Sequence, residues 1–170
     1  MGPVVRRGTA AAAARGGRPH PEPVRRGLRA ADRGAVLKVH LPVPCAVAFD
    51  YLADPRNRAE WQSSLARVED VDGEPRVGQT WVDVTKPGLR PAMETTELDR
   101  PHRWTEIGTW RGFSATLTLT FTETPTGCAV EPTMTVRGRG LRAPLGAVLD
   151  ALAPYAVRSD LRHAASMLAP

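Results

Sequence analysis

Cysteine is scarce in this chain: Cys45 and Cys128 are the only two in 170 residues. Neither belongs to a CxxC pair or a His-rich cluster, which excludes a disulfide-dense scaffold and a structural zinc site. Two reduced, buried thiols in a cytoplasmic protein are the expectation, with a disulfide as the minority alternative. No apolar run approaches the roughly 18 residues of a membrane span. No repeat period is visible, which removes solenoids, coiled coils and collagen. A phosphate-gripping glycine loop, a dinucleotide fingerprint and a Ser/His/Asp motif are all missing. His20, His40, His102 and His163 include no pair at metal-ligand spacing, so neither a metal nor another cofactor is expected. Aromatics make up only 5% of the chain, yet four of the nine are tryptophan.

What the chain does have is an ordinary globular balance, 42% hydrophobic and 24% charged, at a length suited to one domain. Its net charge of +5 is unevenly placed. Residues 1–34 carry eight arginines against Glu22 and Asp32, whereas residues 35–170 are almost neutral. The basic character thus belongs to the first segment, and the body has no charge excess to suggest a nucleic-acid domain. Rich in Arg, Ala, Gly and Pro, residues 1–34 have too few large apolar side chains to offset chain entropy and are expected to be disordered. No apolar stretch follows the positive start, so a secretory signal is not expected. Three roles stay open for this tail: a solvated extension, an upstream start artefact in an arginine-heavy coding sequence, or an arm for an anionic partner.

Residues 35–170 read as a folded domain. Ala35–Leu41 alternates like a short strand. Pro44 suits the first turn of a helix running to about Ala53, and Asp54-Pro55 looks like an N-cap and first-turn pair opening a second short helix through Trp61. Beyond Trp61 the period falls to two. Strands are expected over Ala66–Val71, Gly78–Lys86, Arg90–Leu98, Arg103–Trp110, Phe113–Thr122 and Cys128–Arg137, separated by Gly- and Pro-containing turns. In Phe113–Thr122 the residues Phe113, Ala115, Leu117, Leu119 and Phe121 alternate with Ser114, Thr116, Thr118 and Thr120, giving one apolar and one polar face. Pro132 implies a bulge or an edge. From Pro144 to Leu168 the period is helical again: Leu145, Val148, Leu149, Leu152 and Ala156 form one stripe, Val157, Leu161, Ala164 and Leu168 an adjoining one. Pro154 should kink or split that helix.

This order, with the stretches VHLPVPCAVAFDYLADPRNRAEWQ, VGQTWVDV, TLTLTFTETPTGCAV and GRGLRAPLGAVLDALAPYAVRSDLRHAASML, resembles the SRPBCC or START-like superfamily of polyketide cyclase/dehydrase and lipid-binding proteins. The resemblance covers about Val36 to Leu168. It implies an α+β helix-grip fold: a seven-stranded antiparallel sheet wrapped around a long C-terminal helix, with two short helices after the first strand. It also implies an apolar cavity between sheet and helix, one end closed by the short helices.

On that fold Phe113, Leu117, Leu119, Val130 and Met134 should face the helix, as pocket lining or as plain core. Trp61, Trp81, Trp104 and Trp110 would wall a pocket or anchor its rim. Leu149, Leu152 and Tyr155 would contribute from the helix. Glu106, Glu94, Asp83 and Tyr155 are the candidates for acid–base chemistry, Glu106 especially if it shares a face with Trp104 and Trp110; an outward, solvated side chain is the plain alternative. The function implied is binding of a hydrophobic small molecule of lipid, polyketide or isoprenoid type. The alternative is a cyclase or dehydratase using a cavity carboxylate or Tyr155. A third reading docks the protein on a macromolecule with help from its tail. The expected partners are thus a hydrophobic ligand, no specific nucleic acid and no membrane span, in a monomer or homodimer.

Overall fold

A computed structural model describes residues 38–169; the tail expected over residues 1–34 lies outside them. β1 (Val39–Leu41) leads into α1 (Cys45–Ala53), a short 3-10 turn (Pro55–Asn57) and α2 (Arg58–Trp61). Six strands follow: β2 (Leu65–Glu69), β3 (Thr80–Thr85), β4 (Ala92–Asp99), β5 (Arg103–Trp110), β6 (Phe113–Thr124) and β7 (Gly127–Gly138). A 3-10 turn (Gly140–Arg142) then opens α3 (Ala143–Met167). The seven strands form one sheet in the order β1-β7-β6-β5-β4-β3-β2, every neighbouring pair antiparallel. This is the helix-grip architecture.

The two-faced pattern of β6 decides which side of the sheet is inside. Leu117, Leu119 and Phe121 are buried and meet Met134, Pro132 and Val130 across the ladder to β7. On the other side of β6, Trp104 and Glu106 of β5 pair with Leu119 and Leu117, so they share that inner face. α1 buries Ala48, Phe49 and Leu52 on this face, with Phe49 packed 5.1 Å from the Phe121 ring. Pro132 lies two residues beyond Val130, which pairs with Val39 of β1, and the strand accommodates it without a register shift against β6.

Three expectations need correction. Cys45 and Cys128 are not separate thiols but a disulfide across 83 residues. β1 ends against Cys128 and the chain turns at once into α1, which brings two sequence-distant residues to a Cα–Cα distance of 4.8 Å. Pro154 does not split α3, which runs unbroken from Ala143 to Met167. A proline removes one backbone bond, and the helix keeps the rest. The third correction concerns which face of α3 is inside. The buried residues are Gly146, Ala153, Val157, Asp160, Leu161 and Ala164, whereas Leu145, Val148, Leu149 and Leu152 are exposed.

Small residues, not large ones, seat the first half of the helix. A Cβ on Gly146 would stand 2.3 Å from the backbone nitrogen of Gly138, so only glycine allows α3 to touch the end of β7 there. Close by, the Val136 N–H donates to the Asp150 carboxylate at 2.6 Å, so a helix side chain supplies the acceptor for a strand N–H.

Candidate functional site

α3 leans on β7 and β1, and the inner face of β3–β6 is left partly uncovered beside it. The gap is a cavity of about 290 Å³, near the lower end of typical ligand pockets. Its apolar walls come from Leu65, Met93, Phe113, Leu117, Met134 and Val157, among others. Ser64, Thr109 and Ala156 are lining residues exposed to solvent, so the cavity opens alongside α3.

One end of this cavity is charged. The Asp54 side chain accepts the Arg56 N–H at 2.9 Å and Pro55 occupies the next position, which starts the 3-10 turn and α2 where the sequence signals it. That turn aims Arg58 into the interior, where only 2% of it stays exposed. Its guanidinium donates twice to Asp83, Nε to Oδ1 at 3.2 Å and Nη2 to Oδ2 at 2.8 Å, and Nη1 donates to Glu106. Nη2 also reaches Gln62 Oε1 at 3.3 Å, and Trp81 Nε1 donates to Asp83 Oδ1 at 3.0 Å. The Arg58 guanidinium carbon lies 5.3 Å from the Trp81 ring centre and 5.9 Å from that of Trp104, so two indoles flank the cation. Arg58, Gln62, Asp83 and Glu106 all border the cavity.

One cation facing two buried carboxylates leaves an excess negative charge, which a low-dielectric site resists. Burial pushes the Glu106 carboxyl up to about 7, against the pull of the Arg58 guanidinium and with the push of Asp83. Near neutral pH Glu106 is therefore shared between acid and carboxylate, and the acid form balances the cluster. Arg58 stays charged: burial opposes its charge, but Glu106 and Asp83 outweigh that and hold its pKa above the ordinary arginine value. A third buried carboxylate, Asp160 of α3, borders the cavity and accepts from Ser63 through N–H at 3.1 Å and Oγ at 2.7 Å.

Of the residues singled out from sequence, Asp83, Glu106, Trp110, Phe113, Leu117 and Met134 border the cavity. Trp61, Trp81, Trp104, Leu119 and Val130 are buried in the core, with Trp81 and Trp104 backing the charged end. Glu94 is exposed and lines, with Thr80 and Ile107, a separate depression rather than the cavity. Tyr155 is 75% exposed, and Leu149 and Leu152 are exposed too, because the helix turns Ala153, Ala156 and Val157 toward the cavity instead. Arg58, Gln62 and Asp160 were not anticipated. Asp160 carries a readable signal, since it falls among Val157, Leu161 and Ala164 on the buried side; Arg58 carries none, as its partners lie 25 and 48 residues away.

The family model for polyketide cyclase/dehydrase and lipid transport matches residues 34–170, and the chain belongs to that family. Solved structures agree on the fold. Protein MLL2253 from Mesorhizobium loti superposes with a TM-score of 0.61 at 17% identity, covering 77% of this chain and 93% of that one. Protein Ms6760 from Mycobacterium smegmatis gives 0.54 at 21% identity over 78% and 88%. The di-domain aromatase/cyclase StfQ of the steffimycin biosynthetic pathway gives 0.62 at 15% identity, covering 76% of this chain and 48% of that one. A search of the curated proteins returns no significant match. Among the described residues no helix is long and apolar enough to cross a membrane.

Proposed function

We propose that the protein binds a small, mostly apolar molecule in the cavity between sheet and α3, with one polar group of that molecule at the Arg58–Glu106 end. The observation that carries this reading is the contrast within the cavity: apolar walls, and a buried cluster of Arg58, Asp83 and Glu106 at its inner end. Apolar area holds the body of such a ligand, and a few fixed polar groups set its orientation. A carbonyl or hydroxyl suits the cluster, since Glu106 donates when protonated and accepts when ionised. The family's lipid and polyketide chemistry supports a ligand of lipid, polyketide or isoprenoid type. Residues 1–34 then stand outside the binding domain, in keeping with a family match that begins at residue 34. The cytoplasmic setting expected from sequence sits poorly with the Cys45–Cys128 bond, since such bonds persist in oxidising surroundings.

Titration with a fluorescent apolar probe tests the binding. Ala115→Leu on the cavity wall and Ala156→Phe at its lip each narrow the space and should weaken probe binding at least ~10-fold, by sterics in a close-packed site. Unchanged binding in both variants would overturn the proposal.

One observation favours a second reading, an acid–base enzyme of cyclase or dehydratase type: a cavity carboxyl that exchanges its proton near neutral pH suits proton transfer. Glu106→Gln separates the two. A pure binder keeps ligand affinity within a few-fold, whereas an enzyme keeps affinity and loses ~10²–10⁴ in turnover.

A further inference from the structure

The large apolar side chains on the first half of α3 are exposed rather than packed into the core. Leu145 is 54% exposed and Leu152 60%, Val148, Leu149 and Tyr155 are exposed with them, and Leu141 in the preceding turn is fully so. At 100° per residue, Leu145, Leu149, Leu152 and Ala156 share one side of the helix, next to the cavity-lining Ala153. The exposed apolar face therefore continues from the lip of the cavity. A contiguous exposed apolar surface of this kind marks an interaction site, in contrast to scattered single residues.

Three exposed arginines gather at its N-terminal end. The Arg139 N–H donates to the Gly112 carbonyl at 2.9 Å, and Gly112 lies 3.5 Å, measured from a Cβ position, from Arg142 Nη1. The β5–β6 hairpin tip thus sits against the turn before α3, bringing Arg111, Arg139 and Arg142 together, all exposed. None of the three has a carboxylate within salt-bridge distance among the described residues. From residue 137 to 156 the one acid is Asp150, and the Val136 N–H engages it. Two copies meeting through this face would set arginines against a surface that offers them no counter-charge. A bilayer with anionic headgroups supplies both complements: phosphate and carboxylate for the arginines, acyl chains for the leucines.

We propose that this face, Leu141, Leu145, Leu149 and Leu152 with Arg111, Arg139 and Arg142 around them, docks the protein on an anionic lipid surface. Docking there turns the cavity mouth toward the bilayer, and a ligand passes between membrane and cavity without crossing water. That second consequence rests on the binding reading above; the docking itself does not.

Sedimentation of the full chain with phosphatidylcholine vesicles, with and without phosphatidylserine, tests it. The wild type should partition onto the serine-containing vesicles and much less onto the others. Replacing both leucines (Leu145→Glu with Leu152→Glu) should lower partitioning by at least ~10-fold, since each change removes apolar insertion and adds like charge to the lipid. Arg139→Ala and Arg142→Ala should each lower it about five-fold, the usual worth of one arginine near such a surface. All four sites are exposed, so thermal unfolding should stay at the wild-type temperature. Ala115→Leu should bind vesicles as the wild type does even where it loses the apolar probe, which keeps docking apart from ligand binding. The proposal is overturned if the leucine and arginine variants all sediment like the wild type, leaving the arginine-rich tail as the sole attraction. It is equally overturned if the leucine pair abolishes a concentration-dependent dimer while vesicle binding is unchanged.

Discussion

The two halves of α3 do different work with similar composition. From Val157 onward the helix is fastened: Leu161 and Ala164 are fully buried and Asp160 is tied to Ser63 of the segment after α2. Before Ala153 it touches the protein through Gly146 and through Asp150, and turns its leucines away. The cavity lies between a closed inner end, held by Arg58 and the fastened half, and an open outer end beside the loose half. Apolar content alone does not tell which part of a helix is core; the neighbour's shape does. A strand that ends in Gly138 invites the closest backbone approach and so selects the face that carries glycine and alanine.

Three measurements would break or sharpen this contrast. The largest effect is expected at the inner end. Arg58→Ala leaves Asp83 and Glu106 buried without their cation and should lower unfolding stability by about 4 kcal/mol, measured by urea denaturation. A loss comparable to that of an exposed ion pair would mean that the cluster is not closed to water. Next comes the helix itself. Leu161→Ala should cost about 3 kcal/mol through the void it leaves, whereas Leu152→Ala should stay within roughly 0.5 kcal/mol. Equal costs would erase the distinction between the halves.

The smallest effect is one of pH. The folded pKa of Glu106 lies near 7, above its ordinary value of 4.5, so the folded state holds this proton more tightly than the unfolded chain. The associated stability is fully present below about pH 4.5 and is lost as pH rises through about 7. Glu106→Gln removes that loss: its stability should be flatter across the window and exceed the wild type by ~1–2 kcal/mol at pH 8, the gain being partly offset by a weaker bond to Arg58. Parallel stability curves for the two proteins would show that Glu106 does not titrate there.

The sequence carried the framework well because the framework is local. The alternation in β6, the Asp54-Pro55 start signal and the return to helical period after Pro144 each follow from a few consecutive residues, and each appears in the structure. The inward side of Glu106 was legible only as a condition, through its shared parity with Trp104, since alternation separates two faces without saying which is inside. What escaped depends on residues far apart. Arg58 meets Asp83 and Glu106 only after α2 folds over the sheet, and Cys45 meets Cys128 only because β1 pairs with the last strand. The α3 face was misjudged because amphipathic reasoning follows the biggest apolar stripe, while contact with β7 demanded the smallest residues.

The bond between Cys45 and Cys128 encloses β2 to β6 in one covalent ring, and with them the strand residues Asp83 and Glu106. A protease that clips an exposed loop inside that ring, such as the one carrying Arg76, opens the circle without freeing either piece. The severed chain migrates at its full mass until a reductant is added.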